Sequence, residues 1–165
     1  MKTGLVYLRP ANLVAFRSTG PYHRSSTEAW ERMFAWMSRH GLRGKVHRGY
    51  GMALDDPRKV PAAQCRYDAC IEMPDQLPTS AWSELLPQRL PGGPYARLRY
   101  VGPHSELSGI AKNLREQWTG KHGLSVCSRR PMIEIYLDDP QSCRPENLRT
   151  DLCLPIAFSS ARAVA

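Results

Sequence analysis

From Pro131 to Leu137 the chain is apolar, with β-branched and aromatic residues alternating around one polar position, Glu134. In the strand this predicts, Ile133, Ile135 and Leu137 share one side, and Met132, Glu134 and Tyr136 share the other. Asp138-Asp139-Pro140 stops the pairing. Other stretches carry weaker versions of the pattern. Leu5 to Ser18 is strand-forming but broken by Pro10-Ala11-Asn12, with Leu13 to Arg17 its strongest part. Thr19-Gly20-Pro21-Tyr22 is a turn. Ser25 and Glu28 fit a capping box, and the helix that follows buries Ala29, Trp30, Met33, Phe34 and Met37 at one-face spacing. His40-Gly41-Leu42 ends it, with Gly41 suited to a left-handed C-terminal position. Strands are expected from about Val46 to Leu54 and from Arg66 to Met73. Asp75 to Gly93 is a proline-punctuated connection with a short helical turn at Ser80 to Leu86.

The pattern then starts again. Tyr95 to Val101 is a strand and Gly102-Pro103 a turn. Leu107, Ile110, Ala111, Leu114 and Trp118 form one helical face, ended by His122-Gly123-Leu124. The Ile133 strand and a last strand from Leu148 to Ile156 follow, and Ser159 to Ala165 reads as a loose tail. Gly20-Pro21 recurs as Gly102-Pro103 and His40-Gly41-Leu42 as His122-Gly123-Leu124, both at an offset of 82. Leu54-Asp55-Asp56-Pro57 recurs as Leu137-Asp138-Asp139-Pro140, and Arg66, Asp68 and Cys70 recur as Arg149, Asp151 and Cys153, at an offset of 83. The helical faces line up at 81 instead, which implies a one-residue slip near each helix end.

The expected fold is therefore α+β: duplicated β-α-β-β units with pseudo-two-fold symmetry, an antiparallel sheet and two main helices. One helix cannot cover three strands, so the units share a sheet or core. A single domain spans 1–165, with one repeat at about 13–74, a connection at 75–93, a second repeat at about 94–157 and a tail at 158–165.

Composition changes this picture little. The 165 residues carry a formal net charge of +8, which permits contact with nucleic acid or an anionic surface without requiring it. The densest basic stretch is Arg39, Arg43, Lys45 and Arg48, with His40 and His47 among them, and a solvated helix end explains it as readily as a phosphate site. Arg9 and Pro10 interrupt the only apolar run near Met1, so no export signal or membrane span is visible and a cytoplasmic location is expected. Five cysteines (Cys65, Cys70, Cys127, Cys143 and Cys153) without a Cys-x-x-Cys pair suggest neither a disulfide framework nor a metal site, and no cofactor motif appears. There is no nucleophile elbow and no His-Glu-x-x-His, so catalytic residues are not assigned. His40 and His122 are helix ends, and His23 and His104 follow the two Gly-Pro turns.

Glu134 holds the main chemical interest. On a solvated sheet face it would pair with an arginine. If buried, it needs a cation, a donor or a proton. Its counterpart at an offset of 83 is Gly51, so one repeat supplies a carboxylate where the other supplies no side chain. Glycine within a strand marks either a bulge or twist needed for packing or the close approach of a ligand or backbone.

Several segments together resemble the GyrI-like effector-binding domain. They are Gly20-Pro21-Tyr22, Ala29-Trp30-Glu31-Arg32, Cys65-Arg66-Tyr67-Asp68-Ala69-Cys70, Gly92-Gly93-Pro94-Tyr95-Ala96, Gly102-Pro103, Glu134-Ile135-Tyr136-Leu137 with its Asp-Pro turn, and Leu148-Arg149-Thr150-Asp151 leading to Leu154-Pro155-Ile156. The match runs from about Leu13 to Ile156. Members stand at the C-terminus of AraC-type and MerR-type multidrug-sensing regulators or occur alone, as in the bacterial DNA gyrase inhibitor. Met1 lies only a dozen residues before the first strong strand, so the stand-alone form is expected.

The resemblance implies a groove between the halves that binds amphipathic, often cationic small molecules, with a central glutamate as counter-charge. Glu134 stands at that position, and Tyr136, Tyr67 and Trp118 are the aromatic candidates beside it. Trp118 also fits ordinary core packing on its helical stripe. Cys153 departs from the tyrosine that many members carry, which would remove one aromatic wall. Two other readings follow from the family. One is a protein-interaction module that inhibits DNA gyrase or acts with a transcription regulator. The other is a hydrolase of cyclopropane-bearing compounds, whose aromatic pattern this chain does not match. No direct, specific DNA binding is expected, because no basic recognition helix is apparent.

Overall fold

A computed structural model describes residues 2–46, 48–75, 77, 79–118, 120 and 123–159. His47 of the basic stretch, the predicted helix end at His122 and the tail from 160 onward lie outside the described residues. The fold is α+β. Its strands are β1 (Gly4–Leu8), β2 (Ala11–Thr19), β3 (Gly49–Ala53), β4 (Arg66–Glu72), β5 (Leu86–Leu90), β6 (Gly93–Val101), β7 (Leu124–Val126), β8 (Met132–Tyr136) and β9 (Arg149–Phe158). The two main helices are α1 (Tyr22–Arg39) and α2 (Leu107–Gln117). No helix among the described residues is long and apolar enough to cross a membrane.

The strands pair in the order β1-β6-β9-β8-β3-β4-β2-β5, each pair antiparallel, and β7 adds to the end of β9. β1 and β2 are joined by Arg9 and Pro10 alone, yet β1 lies at one edge and β2 near the other. The sheet must therefore curl until its edges approach. Its inner side is filled by Leu13, Ala15, Tyr50, Met52, Cys70, Tyr95, Ile133, Ile135 and Cys153. Its outer side carries the helices. Ala29, Met33 and Trp36 of α1 pack on Val14, Phe16, Ala69 and Ile71. Leu107 and Leu114 of α2 pack on Met132, Leu152, Leu154 and Ile156. Period-two alternation thus feeds two cores at once, and the face of β8 that bears Glu134 lies on the helix side.

The two halves repeat each other's bonds. Arg17 grips Asp68 and Arg99 grips Asp151 through paired hydrogen bonds. Arg66 binds Asp55 through its backbone and side chain, and Arg149 binds Asp138 in the same way. The two Leu-Asp-Asp-Pro turns therefore occupy matching environments. In the β3–β8 pair, Gly51 lies opposite Glu134, while Gly49 and Ala53 lie opposite Tyr136 and Met132.

Three expectations need correction. The connection at 75–93 contains β5, which stands 82 residues after β1 and pairs with β2 just as β1 pairs with β6. Each leading strand so crosses to the other half. Pro87 hid β5, and its edge position is what tolerates a proline. The capping box does not form: α1 starts earlier, at Tyr22, and Ser25 donates to the Gly20 carbonyl while Glu28 accepts from Ser18. The buried stripe of α1 runs through Trp36 rather than Trp30 and Phe34, which are only part-buried. The predicted stop did form. Gly41 has φ +65°, Leu42 N–H bonds the Met37 carbonyl and Gly41 N–H bonds the Ser38 carbonyl, a Schellman pair.

Candidate functional site

Between α1 and α2, above β3, β4 and β8, lies a cavity of about 900 Å³. Its floor is made by a strand pair that leaves room on one side and fills it from the other. A Cβ on Gly49 would come within 2.7 Å of the Trp30 ring, and one on Gly51 within 2.1 Å of the Tyr67 hydroxyl. Trp30 from α1 and Tyr67 from β4 therefore lie directly over glycine backbone. Gly49 leaves room for the Trp30 ring, which any side chain at 49 would meet.

Glu134 rises from β8 into this space. Tyr136 donates to its Oε2, and the Tyr67 hydroxyl reaches the same oxygen at 3.2 Å. The two hydroxyls are 2.8 Å apart, and Trp30 Nε1–H donates to Tyr67 at 3.0 Å. Among the described residues no donor reaches Oε1, and no Lys, Arg or His forms an ion pair with the carboxylate. Burial raises the Glu134 pKa above its usual range, and the two tyrosine hydrogen bonds act against that rise. Burial beside the carboxylate also drives both tyrosine pKa values well upward, so their hydroxyls stay protonated as donors.

Aromatic rings surround this centre. Trp30 meets Tyr136 edge to face at 5.1 Å and Phe34 at 5.3 Å, and Tyr22 meets Tyr67 at 6.2 Å. His104, just before α2, lies 5.0 Å from the Tyr136 ring. Burial lowers the His104 pKa, so the imidazole is neutral near pH 7, and its Nε2 is buried with no partner among the described residues. Arg115 and Lys112 of α2 complete the lining from the other wall. Among the described residues no three His, Cys, Asp or Glu side chains group as metal ligands would.

The structure brings Glu134, Tyr136 and Tyr67 into one hydrogen-bonded cluster. Trp118 is set apart: it packs on the Leu107–Leu114 core and does not line the cavity. Cys153 lies in the inner core with Cys70, so a tyrosine missing there opens no gap in the cavity wall. Sequence reasoning did not find Trp30, Tyr22, His104 or Arg115. The usable signal was Gly49-Tyr50-Gly51, where two glycines one strand repeat apart clear one face for rings from elsewhere. Two residues of the basic stretch are engaged. Arg39 pairs with Glu84 at 3.1 Å, and Arg43 pairs with Asp139 at 2.6 Å while stacking 4.1 Å over Phe34.

Comparison with known proteins places the chain in a family. The chain is 25% identical to the probable transcriptional regulator YgiV of Escherichia coli K12, covering 82% of this chain and 86% of that protein. It is 26% identical to a DNA gyrase inhibitor of Erwinia billingiae, covering 84% and 88%. Its fold matches the EcmrR C-terminal domain with a TM-score of 0.68 at 12% identity, covering 95% of this chain and 98% of that one. It also matches SAV2435 in its structure with bound tetraphenylphosphonium, with a TM-score of 0.57 at 12% identity, covering 95% and 94%. The family model for the GyrI-like small molecule binding domain matches residues 1–157, and the chain belongs to that family.

Proposed function

We propose that this protein binds amphipathic organic cations in the cavity between α1 and α2, with Glu134 as their counter-charge. One observation carries the reading: a carboxylate with an open oxygen and no cationic partner among the described residues, at the floor of an aromatic cavity. Leaving such a charge unneutralised is costly, and an incoming cation removes that cost. Trp30, Phe34, Tyr22 and Tyr136 offer ring faces and edges, and each cation–π contact adds about 0.5–2 kcal/mol. The tyrosine hydroxyls hold Oε2 and so aim Oε1 at the ligand. SAV2435, which shares the fold, has been seen with an organic cation bound, and this supports the same ligand class here.

Titration with tetraphenylphosphonium tests the reading. Glu134→Gln keeps the shape of the side chain and removes its charge, and should weaken binding by about 1–3 kcal/mol. Neutral triphenylphosphine oxide should lose much less. Cation affinity should also rise with pH as Glu134 gives up its proton through its raised pKa. Unchanged affinity for the cation in the Gln variant would remove Glu134 from the site.

A second reading rests on the gyrase-inhibitor relative, which suggests that the protein acts on DNA gyrase. Inhibition of supercoiling by the purified protein, lost when Lys45 and Arg48 are reversed to glutamate, would favour it.

A further inference from the structure

The cavity contains a second charge that the cation reading does not use. Arg115 projects from α2 into the lining, and only 12% of its side chain is exposed. Its nearest described partners are poor ones. One terminal nitrogen is 3.8 Å from the Met132 sulfur and the other is 3.9 Å from Asp56 Oδ1, beyond a hydrogen bond. Asp56 is already committed to Arg58, which binds it through three side-chain contacts of 2.8 to 3.2 Å. By contrast Arg17, Arg66, Arg99 and Arg149 each grip a carboxylate with two nitrogens. Arg115 is therefore a largely buried guanidinium that faces a cavity and whose fork makes no hydrogen bond to a carboxylate among the described residues. Such a fork matches a carboxylate, which accepts two parallel N–H bonds.

The position of this fork relative to Glu134 is constrained. Met132, which Arg115 touches, and Glu134 lie two residues apart on the same face of β8, about 7 Å along the strand. One wall of the cavity is thus cationic and its floor anionic, a short organic skeleton apart. A simple cation placed at Glu134 would also feel the like charge of Arg115. A ligand with its own anion there would not.

We propose that the cavity prefers zwitterionic amphiphiles, with a basic amine held at Glu134 and a carboxylate held in the fork of Arg115. This rests on the cation reading above and specifies the ligand class for the same site. Lys112, one helical turn before Arg115 on the cavity side of α2, adds positive potential at the same wall. His104, neutral and with an unpartnered Nε2 among the described residues, lies by Tyr136, at the other end of the row of Met132, Glu134 and Tyr136 from Arg115.

The test compares a benzylpiperazinyl benzoic acid with its methyl ester, titrated calorimetrically at neutral pH. The two share shape and ammonium group and differ in the anion. The acid should bind about tenfold more tightly than the ester, the scale of one charge-assisted contact. Arg115→Gln should erase that difference and leave the ester bound as well as before or better. Arg115→Lys, which keeps the charge but not the fork, should retain only part of the preference. An ester that binds wild-type protein as tightly as the acid, while Glu134→Gln still weakens the ester, overturns the zwitterion proposal and leaves the cation reading standing. An ester indifferent to Glu134→Gln overturns both.

Discussion

The first half, from β2 to β4, and the second, from β6 to β9, use the same scaffold for opposite purposes. Both close their turns with an arginine on a Leu-Asp-Asp-Pro corner, and both pin their long strands with an arginine–aspartate pair. At the strand pair where they meet, they diverge. The second half supplies Glu134 and Tyr136, whereas the first supplies Gly51 and Ala53 at the corresponding places. The first half in turn supplies Tyr67, where the second has Thr150, and Tyr22, where the second has His104. Gly51 and Glu134 are direct register partners, so a symmetric site would set two half-buried carboxylates side by side, and like charges that close do not both ionise. Asymmetry at the centre is therefore what leaves a single carboxylate at this strand pair. Pairing that is alike everywhere else serves folding.

Breaking the shared scaffold should cost most. Asp68 is fully buried and takes bonds from Arg17 and Gln88, whereas Asp151 is bound by Arg99 without a glutamine. Asp68→Ala should destabilise by about 3 kcal/mol in urea unfolding, discounted from a fully buried pair because Arg17 can rehydrate, and Asp151→Ala by about 2 kcal/mol. Equal losses in both halves would mean that the extra glutamine contributes nothing.

Filling the space that the first half leaves empty should come next. Gly51→Ala puts a methyl group 2.1 Å from the Tyr67 hydroxyl, whose ring is buried and whose oxygen is tied to three partners. The expected loss is about 2 kcal/mol, accompanied by weaker cation binding. The matched control is Gly109→Ala on α2, where a Cβ meets nothing within 4 Å and should stabilise by roughly 0.5–1 kcal/mol. If Gly51→Ala is as harmless as Gly109→Ala, close approach is not the reason for the glycine.

The smallest effect concerns protons and sharpens the comparison of carboxylates. Folding raises the Glu134 pKa, so the folded state holds that proton more tightly than the unfolded chain. Its contribution to stability is greatest below the ordinary carboxylate range and falls as pH rises through the raised value. The turn aspartates have the opposite sign. Arg66 and Arg149 hold Asp55 and Asp138 below their usual range, and Arg58 holds Asp56 at about 2, so their contributions are lost on acidification. Subtracting the stability profile of Glu134→Gln from that of the wild type should leave a curve that declines toward neutral pH. A rising curve would mean that Glu134 has a cationic partner in the folded protein. At neutral pH the Gln variant should be at least as stable as the wild type.

Much of this was legible in the chain. Alternation placed Glu134 and Tyr136 on one face of β8 because strand side chains must alternate, and the recurring turns exposed the shared scaffold because their chemistry is local: an aspartate, a proline and an arginine eleven residues on. Other features were not legible. β5 carries a proline and becomes a strand only because β2 offers it an edge. Trp30, Phe34 and Trp36 all suit a helix, and which of them enters the core depends on where α1 rests against the sheet.

The sequence by itself determined the α+β class, the family, the two corners and the presence of one carboxylate opposite one glycine. These depend on residues near one another in the chain or on periodicity, which the backbone enforces. The tertiary structure decided that the helices cover the Glu134 face, that Tyr67 and Trp30 cross onto the glycines of β3, and that Arg115 faces the same cavity with Asp56 only at 3.9 Å among the described carboxylates. Those depend on how the sheet curls. The curl is set by where the leading strands cross to the opposite half, a long-range choice that no local pattern encodes.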